Sequence, residues 1–288
     1  MASCLPGLVR ADLALGSGTL TTVSDGNLTL PGSFLFDAMP QGELSSILAD
    51  YNLATDQITP DCNLALYRDS ERTVLFDVGS GPDFMPTAGT IVDSLEALGL
   101  APEDITDVVF THAHPDHIWG LLDDFDEPLF YNANYMMGRA EWDYWWNPNT
   151  VSEIGEARAA FAVGAKRRME AIKDIVTFFE DGQEVLPGIA ALSTPGHTPG
   201  HMAFEVRSGS RGALVCGDAI GNHHVAFRKP NWLSGSDQDP DTAVATRNML
   251  FDRLTGEDLA VIGFHLPQGG IGRVDKMGDG FVFVPEDS

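Results

Sequence analysis

The sequence predicts an α/β fold of layered sheets covered by helices, and three observations carry that expectation. Short apolar runs rich in β-branched residues recur along the chain and read as buried strands. Segments with helical apolar spacing lie between them. The chain has 288 residues and is 43% apolar, so it can bury a large core within one unit.

The elements follow in chain order. Residues 1–60 are expected as an N-terminal strand-and-loop extension of a single domain spanning 1–288. TVLFDVG (73–79) and DVVFTH (107–112) read as strands. Between them, TIVDSLEALGL places Ile91, Leu95 and Leu98 on one helical face, with Gly99 as a C-terminal stop. SEIGEARAAFAVGAKRRMEAI carries Ile154, Phe161, Arg168 and Ile172 along a longer helical stripe. IAALSTPGH (189–197), HMAFEV (201–206), GALVCGD (212–218) and LAVIGFH (259–265) read as further strands. DPDTAVATRNMLFDRLTG opens on Asp-Pro and closes on Gly256, as a helix would. Strand runs end in, or just before, Asp77, His112, His197, Asp218 and His265. Strand ends that share a rim can gather distant side chains on a rigid scaffold.

Composition narrows the function. Seventeen basic against 42 acidic residues give a net charge of −25, which argues against nucleic acid and against anionic membranes. Three cysteines, Cys4, Cys62 and Cys216, are widely spaced with no CxxC, so a disulfide framework is not expected. The N-terminus lacks a basic start followed by a long apolar core. A cytoplasmic location is expected, or a periplasmic one if a signal was removed. No run approaches the roughly 18 apolar residues of a membrane span.

THAHPDH (111–117) concentrates the chemistry. His112 and His114 stand two apart, so both imidazoles can reach one ion from an extended segment. Pro115 forces a turn, and Asp116 and His117 can then serve a second ion. Imidazole and carboxylate suit Zn²⁺, with Mn, Co or Fe also accepted. TPGHTPGH adds His197, CGDAI adds Asp218 and GFHLP adds His265.

This set, spread over five segments from about residue 60 to the end, resembles the metallo-β-lactamase superfamily in its dinuclear hydrolase form. The resemblance implies a four-layer αβ/βα sandwich. It implies that His112, His114 and His197 hold one metal, that Asp116, His117 and His265 hold the other, and that Asp218 bridges both. Asp77 would orient a ligand imidazole, and His201 is expected to support the site rather than ligate. Enzymes of the superfamily with redox di-iron sites usually carry glutamate where this chain has His114, and the lactamases with a bridging-position cysteine differ at Asp218.

The segment from NWLSGSDQDPDTAVATRN to FHLP, with GDGFVFVP as a closing strand, is similar to the methyl parathion hydrolase-like and quorum-quenching lactonase-like branch. That implies a hydrolase in which a hydroxide shared by two zinc ions opens a lactone or cleaves a related ester. An organophosphate triesterase on the same scaffold is the first alternative, and a mononuclear iron persulfide dioxygenase the second. Asp116 is the candidate for protonating the leaving group. His223, His224, Trp145, Trp146 and Phe84 are the candidate contacts for a small-molecule substrate. A homodimer is expected only by analogy with related branches.

Overall fold

The computed structural model of the protein describes residues 11–209, 211–257 and 259–286. Cys4 and the rest of the first ten residues lie outside the described residues. Two strands open the chain, β1 (Asp12–Leu15) and β2 (Gly18–Asn27), and the short β3 (Leu30–Pro31) and β4 (Gln57–Ile58) pair with each other. The first seven-stranded sheet is completed by β5 (Asp61–Arg68), β6 (Thr73–Phe76), β7 (Asp107–Phe110), β8 (Asn134–Gly138) and β9 (Thr177–Phe179), in the order β1-β2-β5-β6-β7-β8-β9. The second holds β10 (Glu184–Leu186), β11 (Ile189–Ser193), β12 (Met202–Ser208), β13 (Arg211–Val215), β14 (Ala260–Ile262), β15 (Ile271–Met277) and β16 (Gly280–Pro285), in chain order.

Strand alternation sorts the side chains into three layers of core. Val74 and Phe76 of β6 meet Phe204 and Val206 of β12 between the sheets, with Leu13, Leu20 and Val215 in the same cluster. The intervening Leu75 points the other way, into a core shared with helices Ile91–Ala97 and Ala159–Ile172. On the far side, Leu214 and Val261 pack against Leu250, Phe251 and Leu254 of helix Pro240–Gly256. The order helix, sheet, sheet, helix is the four-layer sandwich expected.

Three expectations are corrected. The strands are shorter than the apolar runs: β6 ends at Phe76, β7 at Phe110, β11 at Ser193, β13 at Val215 and β14 at Ile262. The backbone leaves the sheet before each functional residue, because a residue that must turn toward the rim cannot also hold a ladder position. Asp77 has φ 63° and Gly196 φ 127°, both outside the range of a strand. The stripe from Ile154 to Ile172 is interrupted at Gly155 (φ 93°), after which the helix restarts at Ala159. Residues before 60 hold more than strand and loop. β1 and β2 lie in the first sheet, and helices Ser33–Phe36 and Gln41–Asp50 fold into a separate small core with Val225.

That cap is anchored by ion pairs, Lys229 with Glu43 and Arg228 with Asp50. Cys62 and Cys216 are buried free thiols, each pushed up to about 12 by burial. Among the described residues, no helix is long and apolar enough to cross a membrane.

Phe204 is fully buried between the sheets, against Phe76 and Phe179. Phe204→Ala should cost about 3–5 kcal/mol of unfolding free energy, the usual range for an emptied aromatic site. Urea unfolding followed by fluorescence and circular dichroism checks this, and a loss below about 1 kcal/mol would mean the inter-sheet core is not where stability resides.

Candidate metal centre

Five loops converge at one rim. The histidine pair of THAH follows β7, His197 follows β11, Asp218 follows β13, His265 follows β14, and Asp77 follows β6. His112 Nε2 lies 3.0 Å from His114 Nδ1, which lies 2.9 Å from His197 Nε2. Beside this trio, His117 Nε2 stands 3.3 Å from Asp218 Oδ1 and 3.6 Å from Asp116 Oδ2. His265 Nε2 stands 3.2 Å from Asp218 Oδ2 and 3.3 Å from Asp116 Oδ2. Asp218 Oδ2 is also 3.3 Å from His197 Nε2, so one carboxylate reaches both groups. Within each group the donor atoms lie within 4.8 Å of one another, close enough to hold an ion.

The outward nitrogens are fixed by partners. His117 Nδ1 donates to Asp77 Oδ2 at 2.7 Å. Thr111 donates to Asp77 through its backbone N–H (2.8 Å) and its hydroxyl (2.7 Å). Having given its proton away, that hydroxyl can accept from His112 Nδ1 at 3.0 Å. His197 Nδ1 donates to Asp237 Oδ1 at 3.1 Å, and His265 Nδ1 to the Asp61 carbonyl at 2.7 Å. Each bond places the proton on Nδ1 and leaves the Nε2 lone pair facing the rim. His114 is the exception, presenting Nδ1 to the trio while its Nε2 lies 3.4 Å from Gln238 Nε2.

Electrostatics supports a cation here. Burial, helped by neighbouring histidines, holds His112 and His114 well below the usual imidazole value, which keeps them neutral and able to ligate. Burial alone would lower His117 too, yet Asp218, Asp116 and Asp77 push it up to about 10. His265 is raised well above its usual value against burial, chiefly by Asp218. Burial would raise Asp218, but His265 and His117 hold it well below the usual carboxylate range. The carboxylates thus favour positive charge at this rim. Asp116 Oδ2, His117 Nε2 and Asp218 Oδ1 are buried with no hydrogen-bond partner among the described residues. Orphaned buried atoms are costly, and imidazole and carboxylate donors fit divalent metals such as zinc.

Three supports were not read from the sequence. Glu141 is fully buried and accepts from Ala113 N (2.9 Å), Trp145 Nε1 (2.6 Å), Thr198 Oγ1 (2.7 Å) and Gly200 N (3.1 Å). It ties the THAH loop to the TPGH loop. Gly200 permits this, since a Cβ there would come 2.1 Å from Glu141 N. Asp237 steers His197 and sits 3.8 Å from Arg247. Asn63 donates to the carbonyls of Phe264 and Leu266, on either side of His265.

His201 belongs to neither ligand-capable group. Its Nε2 accepts from Asp218 N at 3.1 Å, and its Nδ1 meets Thr194 Oγ1 at 2.8 Å. Burial lowers it to about 3, so it stays neutral. Gly217 (φ 48°) gives it room, because a Cβ would sit 2.7 Å from its Nε2.

Over the rim lies a cavity of about 260 Å³, with His114, Asp116, His197, Asp218 and His265 at its floor. Phe84, His223 and His224 line it, with Phe34, Leu35 and Ile58 of the cap. Trp145 and Trp146 are corrected, since neither is in the wall. Trp145 is buried, bonded to Glu141, and packs its ring 5.6 Å from His114. Trp146 stacks on Trp142 at 5.2 Å. Both sit on a helix whose apolar face is spent on the first sheet's outer core. Phe161 takes the place expected of them.

Comparison with known proteins agrees with this architecture. The metallo-beta-lactamase superfamily profile matches residues 59–265. The N-acyl homoserine lactonase AttM of Agrobacterium fabrum is 33% identical over 119 residues, 40% of this chain and 41% of that protein. An N-acyl homoserine lactonase of a Bacillus species is 27% identical over 131 residues, 43% of this chain and 42% of that protein. The chain thus spans about two fifths of the length of these curated relatives. Among solved structures, AidC, described as a dizinc quorum-quenching lactonase with a product bound, superposes with a TM-score of 0.91 at 26% identity, covering 98% of this chain and 99% of AidC. The hydrolase AbOPH matches in fold, with a TM-score of 0.91 at 24% identity over 99% of each chain.

Glu141→Ala would strand the buried donors of Ala113, Trp145 and Gly200, at roughly 1–3 kcal/mol each. Chemical denaturation should show a loss of about 3 kcal/mol or more. A variant within about 1 kcal/mol of the parent would show that other contacts hold the two loops.

Proposed function

The chain belongs to the metallo-β-lactamase superfamily, and on that premise we propose that it is a two-metal hydrolase that opens lactones or cleaves related esters. The observation that carries the reading is a pair of ligand-capable groups sharing Asp218 at the floor of an apolar cavity. His112, His114 and His197 would hold one ion, and Asp116, His117 and His265 the other, with Asp218 between. Two zinc ions fit the donor set best. A pair of divalent ions, when bound, lowers the pKa of water toward 7 and polarises an ester oxygen.

The remaining work falls to the chain's own residues. The water oxygen forms a bond to the carbonyl carbon, and the ring C–O bond breaks to leave a carboxylate and a hydroxyl. Asp116 lines the cavity and is the group positioned to accept the water's proton and return it to the departing oxygen. Its Oδ2, orphaned and 3.3 Å from His265 Nε2, faces the second group, which leaves the other carboxylate oxygen to carry the proton. Phe84, Phe161 and Phe34 keep the cavity apolar, which excludes bulk water and suits an acyl chain. The names of AttM and AidC support a lactone as substrate. The assembled second group is what favours a dinuclear hydrolase over a mononuclear iron oxygenase, for which Asp116, His117 and His265 would be surplus.

Zinc-loaded protein should hydrolyse N-hexanoyl homoserine lactone, read as acid release, and lose that activity to a zinc chelator until zinc is restored. Turnover of an aryl phosphotriester without the lactone would assign the site to phosphoryl transfer instead. Asp116→Asn should lower kcat by about 100-fold or more. Full activity in that variant, with both metals retained by elemental analysis, would remove Asp116 from proton transfer.

A further inference from the structure

His114 differs from the other rim imidazoles. Its Nδ1 lies 3.0 Å from His112 Nε2 and 2.9 Å from His197 Nε2, so Nδ1 is its inward atom. A neutral imidazole that ligates through one nitrogen carries its proton on the other. With Nδ1 on an ion, the proton therefore sits on Nε2 and needs an acceptor. The group facing Nε2 is the Gln238 amide, whose Nε2 stands 3.4 Å away and is itself a donor. That arrangement suits an imidazole with a bare Nε2. It sets two N–H groups against each other once Nδ1 ligates.

Gln238 is held where it can answer this. Its backbone N–H donates to the His197 carbonyl at 3.2 Å, and the Asp239 N–H to the Gly196 carbonyl at 2.9 Å. Asp239 then caps helix Pro240–Gly256 by accepting from Thr242 N at 3.2 Å. The segment is thus tied to the His197 loop on one side and to a helix on the other. At the end of the side chain, the Tyr144 hydroxyl donates to Gln238 Oε1 at 2.6 Å. A phenolic hydroxyl both donates and accepts, and the two ends of an amide have nearly the same shape. Turning the amide over therefore keeps the Tyr144 bond with its roles reversed and brings Oε1 to His114. The neighbouring Asp237 already holds His197 Nδ1, so one dipeptide serves two imidazoles of the first group.

We propose that Gln238 is a positioning residue: with an ion at the histidine trio, its Oε1 accepts the His114 Nε2–H and fixes the Nδ1-ligating tautomer, while Tyr144 holds the amide in place. This rests on the two-metal reading of the rim. Neither Gln238 nor Tyr144 lines the cavity, so the role is not contact with substrate.

The test needs no turnover. Zinc is shared between the protein and a competing chelator, and 15N NMR of the histidine rings reads both occupancy of the trio, at His114 itself, and the state of its Nε2 proton. Gln238→Leu should weaken zinc at the trio about tenfold or more, the usual cost of losing a ligand's outer partner. Its His114 Nε2–H resonance should move upfield as the hydrogen bond is lost. Gln238→Glu presents an acceptor whichever way it turns, and should hold zinc at least as tightly as the parent. Tyr144→Phe should fall between the parent and Gln238→Leu. A Gln238→Leu protein with parental zinc affinity, or with an unmoved Nε2–H, would overturn the proposal. So would a Gln238→Glu protein that loses zinc as Gln238→Leu does, because shape rather than the acceptor would then be what matters. A parent that takes up no zinc at the trio would remove the two-metal reading and this proposal with it, whereas the other two results remove this proposal alone.

Discussion

Asp77 stands one residue beyond β6 with φ 63°, a conformation uncommon for any residue but glycine. Its carboxylate is buried and takes three hydrogen bonds, two from Thr111 and one from His117. Burial raises its pKa, and His117 is the main opposing influence. Through Thr111 it orients His112, a ligand candidate of the first group, and directly it orients His117, of the second. One strained, buried carboxylate thus fixes the tautomers on both sides of Asp218. Strain of this kind persists only where the surroundings over-determine it, and here β6, β7 and the THAHPDH turn do so together.

The other loops are held by the same device on different elements. Glu141, Asp237 and the carbonyl of Asp61 each receive hydrogen bonds that lock a rim loop or a rim imidazole. The sheets supply rigidity and these acceptors supply aim. Glu141, Asp77 and the Asp61 carbonyl are satisfied by protein donors, while Asp116 Oδ2, His117 Nε2 and Asp218 Oδ1 at the rim have no partner among the described residues. Buried atoms left unpaired at such a rim are the donors an ion would take up.

The candidate ligands were legible because the spacing of THAHPDH is local and because apolar runs announce strand ends. Layered sheets covered by helices followed from short β-branched apolar runs alternating with helical spacing, and the count of four layers from the resemblance. What was illegible is informative. Glu141 and Asp237 look like ordinary surface acids in sequence, and only long-range contact with Ala113 and His197 gives them meaning. Trp145 and Trp146 read as cavity walls because sequence reveals aromatic content but not which face a helix turns to the core. Phe161 packs against the core as its stripe predicts and also lines the cavity, a second role its spacing does not reveal. The cap before residue 60 has short helices with weak periodicity, and its closure over the cavity depends on contacts with the loop after Asp218.

The central claim is that two ions share Asp218. It is tested most directly by anomalous scattering at the zinc edge from crystals of the zinc-loaded protein. Two peaks per chain are predicted, one enclosed by His112, His114 and His197 and one by Asp116, His117 and His265, with the Asp218 carboxylate reaching both. A single peak at the histidine trio, with Asp116 and His265 hydrogen-bonded to each other instead, would contradict the account.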